Sequence, residues 1–191
     1  SATGPGAARN VDAYPPLGEE RVRHLWSLVG ERHGLSLEAN ALLGDVGGVR
    51  VKIHRGRGPR GGAELVGTLD HAPLHIALLV CRRSLGSRLL GSGARSGIAA
   101  FDAEHEIHGR SLEQVGAWMA RLVPALGALR VGSVDDARMR VTTSDPGTSE
   151  RALGEFVSAV LALARTLDVV LPELPPPPGL AGAMETLRTM A

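Results

Sequence analysis

The spacing of apolar positions changes several times along this chain, and each change marks an element. Val22, Leu25, Trp26, Val29 and His33 recur at helical spacing, predicting a helix from about Gly18 to His33 with Gly34 as its stop. Val49, Val51 and Ile53 then alternate with Arg50, Lys52 and His54, the period of a half-buried strand. The segment Arg55–Gly62 reads RGRGPRGG, a hairpin connection, and Glu64–Asp70 returns as a second strand with Leu65 and Leu69 inward. His75–Cys81 is apolar on both faces, which fits a central strand covered on both sides or a strand under a long loop. Ser84–Gly97 is a long Gly/Ser-rich loop, and Phe101–His108 alternates again as a strand.

Helical spacing returns in the second half. Ser111 and Gln114 have capping-box chemistry, and Val115, Trp118, Met119, Leu122, Leu126 and Leu129 follow on one face. Pro124 is expected to kink this helix or to end its regular part. Arg130–Thr143 reads as a hairpin turning at Asp135 and Asp136, with Met139 and Val141 inward. Asp145–Thr148 breaks the chain and caps a last helix, about Ser149–Asp168, whose stripe is Leu153, Phe156, Val157, Val160, Ala164 and Leu167. Pro175–Pro178 is a stiff polyproline spacer. Beyond it Leu180, Met184, Leu187 and Met190 line one side of a short amphipathic segment, too short to be a stable helix without something to dock on.

These elements predict a two-layer α+β domain: an antiparallel sheet of about five to seven strands with three main helices packed on it. Residues 1–16 form a flexible N-terminal arm, 17–171 the domain, and 172–191 the Pro-rich spacer and tail.

Composition narrows the classes. Hydrophobic residues make up 43% and charged residues 21% of the 191 positions, a globular balance. Aromatic residues are only 3%, so few flat rings remain for stacking on bases, which argues against specific nucleic-acid binding. Residues 1–97 carry 13 basic and 8 acidic side chains, net +5, and residues 98–191 carry 8 and 12, net −4. This asymmetry reads either as basic and acidic strands neighbouring one another in one sheet or as head-to-tail self-association. Lys52 is the sole lysine beside 20 arginines, as a GC-rich bacterial genome would encode. Cys81 is the sole cysteine, so no internal disulfide forms. It reads as an inert core residue, with a reactive thiol beside Arg82 and Arg83 as the alternative. No stretch reaches the roughly 18 consecutive apolar residues of a membrane span, and no signal peptide is visible. The chain opens on Ser1 rather than Met. The expected localisation is cytoplasmic, the alternative a soluble domain of a membrane-tethered or larger protein.

Candidate chemistry is sparse. His105 and His108 lie in a strand-like segment, where His105 joins Phe101, Ala103 and Ile107 on one face and His108 joins Asp102, Glu104 and Glu106 on the other. The rings then point apart, which argues against a shared metal, and the acidic face reads as solvated. His71 and His75 are separated by Pro73 and lack the Glu of a zinc-protease helix, so a turn is the preferred reading. The glycine loops lack the Lys-Ser/Thr of a phosphate cradle, and no nucleophile elbow occurs. No catalytic, cofactor or metal residues are assigned. Basic side chains remain: Arg50 and Lys52 on one strand and Arg138 and Arg140 on another, expected to pair across strands with Asp102, Glu104 and Glu106. Arg55, Arg57 and Arg60 in the hairpin could capture an anion.

The loosely spaced G-x-x-G-V-R-V order from Gly44 to Val51, the apolar strand Leu74–Cys81, and Phe101-Asp102 followed by Glu104–Gly109 resemble an uncharacterised bacterial α+β domain pattern, "FD..F.V.G"-helix-hairpin-helix, over about Leu35–Asp168. His105 departs from it, standing where an apolar aromatic is usual. Members of the pattern have no established activity and are often membrane-tethered, so the resemblance implies no site residues. The element order is also similar to that of secretion-chaperone-like binding folds, typically homodimers that hold a segment of another protein.

The expected function is therefore a non-catalytic protein-binding, adaptor or chaperone-like module. It needs no cofactor, and its partner is a protein or a second copy of the chain. The expected contact residues are the basic ones named above together with Leu180, Met184 and Leu187. The alternatives are an enzyme or metal-binding protein using His71/His75 or the Asp102–His108 strand, and a structural subunit of a larger assembly.

Overall fold

The computed structural model describes residues 18–59, 61–83 and 93–170. Arg60, the N-terminal arm, residues 84–92 of the long loop, and the tail with Leu180, Met184 and Leu187 lie outside the described residues. Helix α1 spans Glu19–Arg32 and buries Trp26 and Val29, with Val22 and Leu25 packed at the margin of the core. Four strands follow as an antiparallel meander: β1 Ser36–Glu38, β2 Ala41–Val46, β3 Val49–Arg57 and β4 Ala63–Asp70. The alternation of β3 is the expected one: Val49, Val51 and Ile53 are buried, while Arg50 and Lys52 are exposed.

The next section corrects two readings. Strand β5 is only Leu79–Arg82. Residues 71–78 lead into it without a ladder, and their backbone is bonded to the β7–β8 turn. The Asp136 carboxylate accepts from the Ala77 N–H at 3.0 Å and the Leu78 N–H at 2.6 Å, and its carbonyl accepts from the Leu74 N–H. His75 and Ala77 hold positive φ, 58° and 54°, conformations that interrupt an extended strand. Nor is the segment covered on both sides. Leu74, Ile76, Leu78 and Val80 are buried, but Leu79 is 48% exposed.

The second correction is Phe101–His108. Its first half is a helix, α2, Ala99–Glu104, and only His105–His108 is a strand, β6. Asp102 folds back on the preceding turn and accepts hydrogen bonds from the Ser96 N–H, the Ser96 hydroxyl and the Gly97 N–H. Asp102 is consequently buried rather than solvated, and Glu106 on β6 is buried as well.

The C-terminal half follows its periodicity. Helix α3 spans Leu112–Leu126, and the Ser111 hydroxyl accepts from the Gln114 N–H at its start. Pro124 falls in its last turn, so the helix continues only to Leu126 and closes on Gly127 at φ 54°. The hairpin is β7, Arg130–Asp135, and β8, Arg138–Thr143. The last helix, α4, is Glu150–Val170, and its whole predicted stripe is buried. Each such fully buried Leu, Val or Phe contributes about 1.5–3 kcal/mol.

The described residues thus form an α+β fold with four helices and one eight-stranded antiparallel sheet, ordered β1-β2-β3-β4-β8-β7-β5-β6. The β7–β8 hairpin inserts between β4 and β5. All four helices lie on one face, sharing a single core with Leu42, Val51, Leu69, Met139, Val134, Val80 and Ile107 of the strands. Gly67 marks the closest approach of α4. A Cβ there would sit 2.9 Å from a Val160 methyl and 3.1 Å from one of Val141. The other face of the sheet carries no described helix.

Candidate functional site

Strand parity decides which side chains reach the uncovered face. In β3 these are Arg50, Lys52 and His54; in β4, Glu64, Val66, Thr68 and Asp70; in β8, Arg138, Arg140 and Thr142. The register aligns Arg50, Asp70 and Arg138 in one row and Lys52, Thr68 and Arg140 in the next. The acidic strand between the two basic ones is therefore β4, not the Asp102–Glu106 segment, because topology places β6 at the far edge of the sheet. Arg138 pairs with Asp70, Arg140 lies 3.6 Å from Glu64, and Arg50 lies 3.7 Å from Asp45. The hydrogen bond from Arg138 to Asp70 raises the guanidinium pKa further above its ordinary value.

Two cations on this face have no such partner among the described residues. Lys52 stands between Leu43 and Thr68, and Arg130 stands opposite Thr142 at the start of β7. Each carboxylate of the face between β2 and β7 is engaged. Asp45, Glu64 and Asp70 have the partners above, and Asp135 accepts from the Ala137 and Arg138 N–H groups. His54 sits among Lys52 and Arg140. Burial first, then those two charges, lower its pKa below 6.5. Its ring is accordingly neutral at neutral pH, and the buried Nδ1 has no partner.

Arg55 and Arg57 do not join this group. By strand parity they share the face of Val51 and Ile53, and both are exposed. Next to that hairpin lies a cleft of about 1170 Å³ at the end of the sheet, lined by Pro59, Arg82, Phe101, Glu104, His105 and Arg130 among others. His105 is 8% exposed and stacks on Phe101 at 4.3 Å. Its Nδ1 is 3.3 Å from the Phe101 carbonyl, so that nitrogen carries the proton, and the buried Nε2 is left without a partner.

The histidine pairs separate as expected for His105 and His108, which occupy opposite faces of β6. His71 is buried in the loop with Nδ1 2.9 Å from the Ala72 carbonyl, whereas His75 is exposed, and neither joins a group of three ligating side chains among the described residues. Such a group does form elsewhere, from Cys81, Glu106 and His108 on the uncovered face of β5 and β6. The Glu106-x-His108 spacing was legible as one face of a strand. Cys81 joins only through the β5–β6 register, which no local pattern encodes.

Among the described residues the helices all cover one face of the sheet, and the other carries the charged rows above. Neither a protein-family model nor a curated protein nor a solved structure matches this chain.

Proposed function

We propose that the chain is a binding module whose uncovered sheet face receives an acidic, extended segment of a protein partner. The observation that supports this reading is the imbalance on that face. All its carboxylates between β2 and β7 are internally engaged, while Lys52 and Arg130 are not. Complementary charge steers encounter and fixes register more than it adds affinity. A protein segment is favoured over a nucleic acid because the face interleaves carboxylates with its cations, and because Trp26, Phe101, Trp118 and Phe156 are all buried in the core. No described Trp or Phe ring is therefore left on the face for base stacking.

The test is fluorescence-anisotropy binding of an acidic Glu/Asp-rich peptide, its Lys-rich counterpart and duplex DNA. The acidic peptide is expected to bind in a salt-dependent manner. Each lost exposed charge contact is worth about 1 kcal/mol, or about fivefold. The double variant Lys52→Glu/Arg130→Glu should therefore weaken binding by more than about twentyfold, and Arg23→Glu on α1 should not. Equal binding by the double variant, or tighter binding of DNA, would refute the reading. A dimer that dissociates in the double variant would assign the face to a second copy instead.

A further inference from the structure

Three chemically different side chains converge at the other end of the uncovered face. Cys81 on β5 lies directly opposite Glu106 on β6, and His108 follows two residues on, opposite Leu79. Strand parity points all three the same way, and their ligating atoms lie within 4.8 Å of one another. From this we infer that Cys81, Glu106 and His108 form a site for a zinc-type divalent metal ion, with three protein ligands and the fourth position left to solvent.

The geometry is close to what such an ion needs. His108 Nε2 and Glu106 Oε2 are 3.2 Å apart. Metal–nitrogen and metal–oxygen bonds of about 2.0–2.1 Å in a tetrahedron place two ligands about 3.3 Å apart, so this pair already spans one edge. The sulfur has to close by at most about 1.3 Å to complete a face with a metal–sulfur bond of about 2.3 Å, a rotation of side chains rather than of strands. Cys81 is half-buried, so solvent reaches the remaining position.

A second observation points to a ligand. Glu106 is only 8% exposed, and its Oε1 is buried with no hydrogen-bond partner. A buried acceptor left unmatched is costly, more so when it belongs to a carboxylate. The His108 ring, on Oε2, does not serve it. A cation held by the carboxylate through both of its oxygens does. The donor set also chooses the ion. Thiolate and imidazole together select borderline-soft metals, zinc first, whereas magnesium and calcium take oxygen ligands. This site stands independently of whether the face also binds an acidic segment.

The single cysteine makes the test decisive, because any thiolate-to-metal signal has to come from Cys81. The reduced full chain is titrated with Co²⁺ and then with Zn²⁺. One equivalent of Co²⁺ should produce d–d bands of tetrahedral intensity and a near-ultraviolet sulfur-to-cobalt charge-transfer band, both erased by Zn²⁺. Cys81→Ser should abolish the charge-transfer band. Glu106→Gln and His108→Gln should each weaken Zn²⁺ binding by more than about tenfold, since even the partners of ligands are worth that much. His75→Gln should bind as the parent does. A parent protein that takes up no equivalent of metal, or one whose cobalt spectrum lacks the sulfur band, overturns the inference without recourse to any variant. Zn²⁺ affinity unchanged in Cys81→Ser overturns it as well.

Discussion

Asp102 sits in the segment whose reading changed most, and replacing it tests why that segment is helical. Its Oδ1 accepts from the Ser96 N–H at 2.9 Å and the Ser96 hydroxyl at 2.8 Å, and its Oδ2 from the Gly97 N–H at 3.2 Å. Ser96 is 3% exposed, so its two donors cannot turn to water once the carboxylate is gone. Gly97 is exposed and its N–H can. Each buried donor left unmatched costs about 1–3 kcal/mol, and the hydroxyl can rotate to recover part of its share. Asp102→Ala should therefore lose about 2–4 kcal/mol. Asp102→Asn keeps one oxygen for both Ser96 donors but turns an amide toward the Gly97 N–H, so about half the loss is expected. Urea denaturation measures both. At about 2–4 °C per kcal/mol for a chain of this size, thermal melts should separate parent, Asn and Ala in that order. Hydrogen exchange should accelerate first at Ser96 and Gly97. Two variants within about 0.5 kcal/mol of the parent, the range of an ordinary surface change, would refute the claim that Asp102 fixes the turn before α2.

Two further outcomes follow from other parts of the fold. Gly67→Ala places a methyl 2.9 Å from Val160, and overpacking of this kind costs about 1–3 kcal/mol. Val160→Ala opens the space that this methyl would fill, so chemical denaturation of the double variant should show a loss smaller than the sum by about 0.5 kcal/mol or more, and additivity would mean that α4 does not approach β4 there. His54 has its pKa lowered below 6.5, so well above 6.5 the ring is neutral in both native and unfolded chains and contributes no pH slope. As pH falls through 6.5 the unfolded chain takes up the proton first, and stability drops until the native ring is protonated as well. Melts of His54→Gln against the parent should show a shallower acid slope in the variant, and an unchanged slope would assign the titration to another histidine.

How much of this was legible depends on what decides each element. Helices α1, α3 and α4 and strands β3 and β8 each bury one face, so their period alone marks them. Helix α2 has six residues and no such freedom. Its conformation is decided by three hydrogen bonds to Asp102, and its alternating sequence suits a strand equally well. Residues 74–80 alternate in burial as a strand would, but Asp136, nearly sixty residues away, takes their backbone N–H groups, and pattern carries no sign of that. The charge ladder was correctly placed on β3 and β8, yet its acidic partner was not. Choosing it requires knowing that the β7–β8 hairpin enters the sheet beside β4.

That insertion also explains why both candidate features lie on one side. The helices claim the face of Val51, Leu69, Val141, Val134, Val80 and Ile107, and parity then sends every neighbour of those residues to the other. Ion pairs between exposed side chains such as Arg138 and Asp70 contribute only about 0–1 kcal/mol, so the uncovered face does little to hold the fold. Under the proposed function, stability and recognition fall on opposite faces. Lys52→Glu and Arg130→Glu, both at exposed positions, should unfold within about 0.5 kcal/mol of the parent in urea. A large destabilisation by either would mean that the face is packed against something within the chain, and the binding test on those variants would lose its meaning.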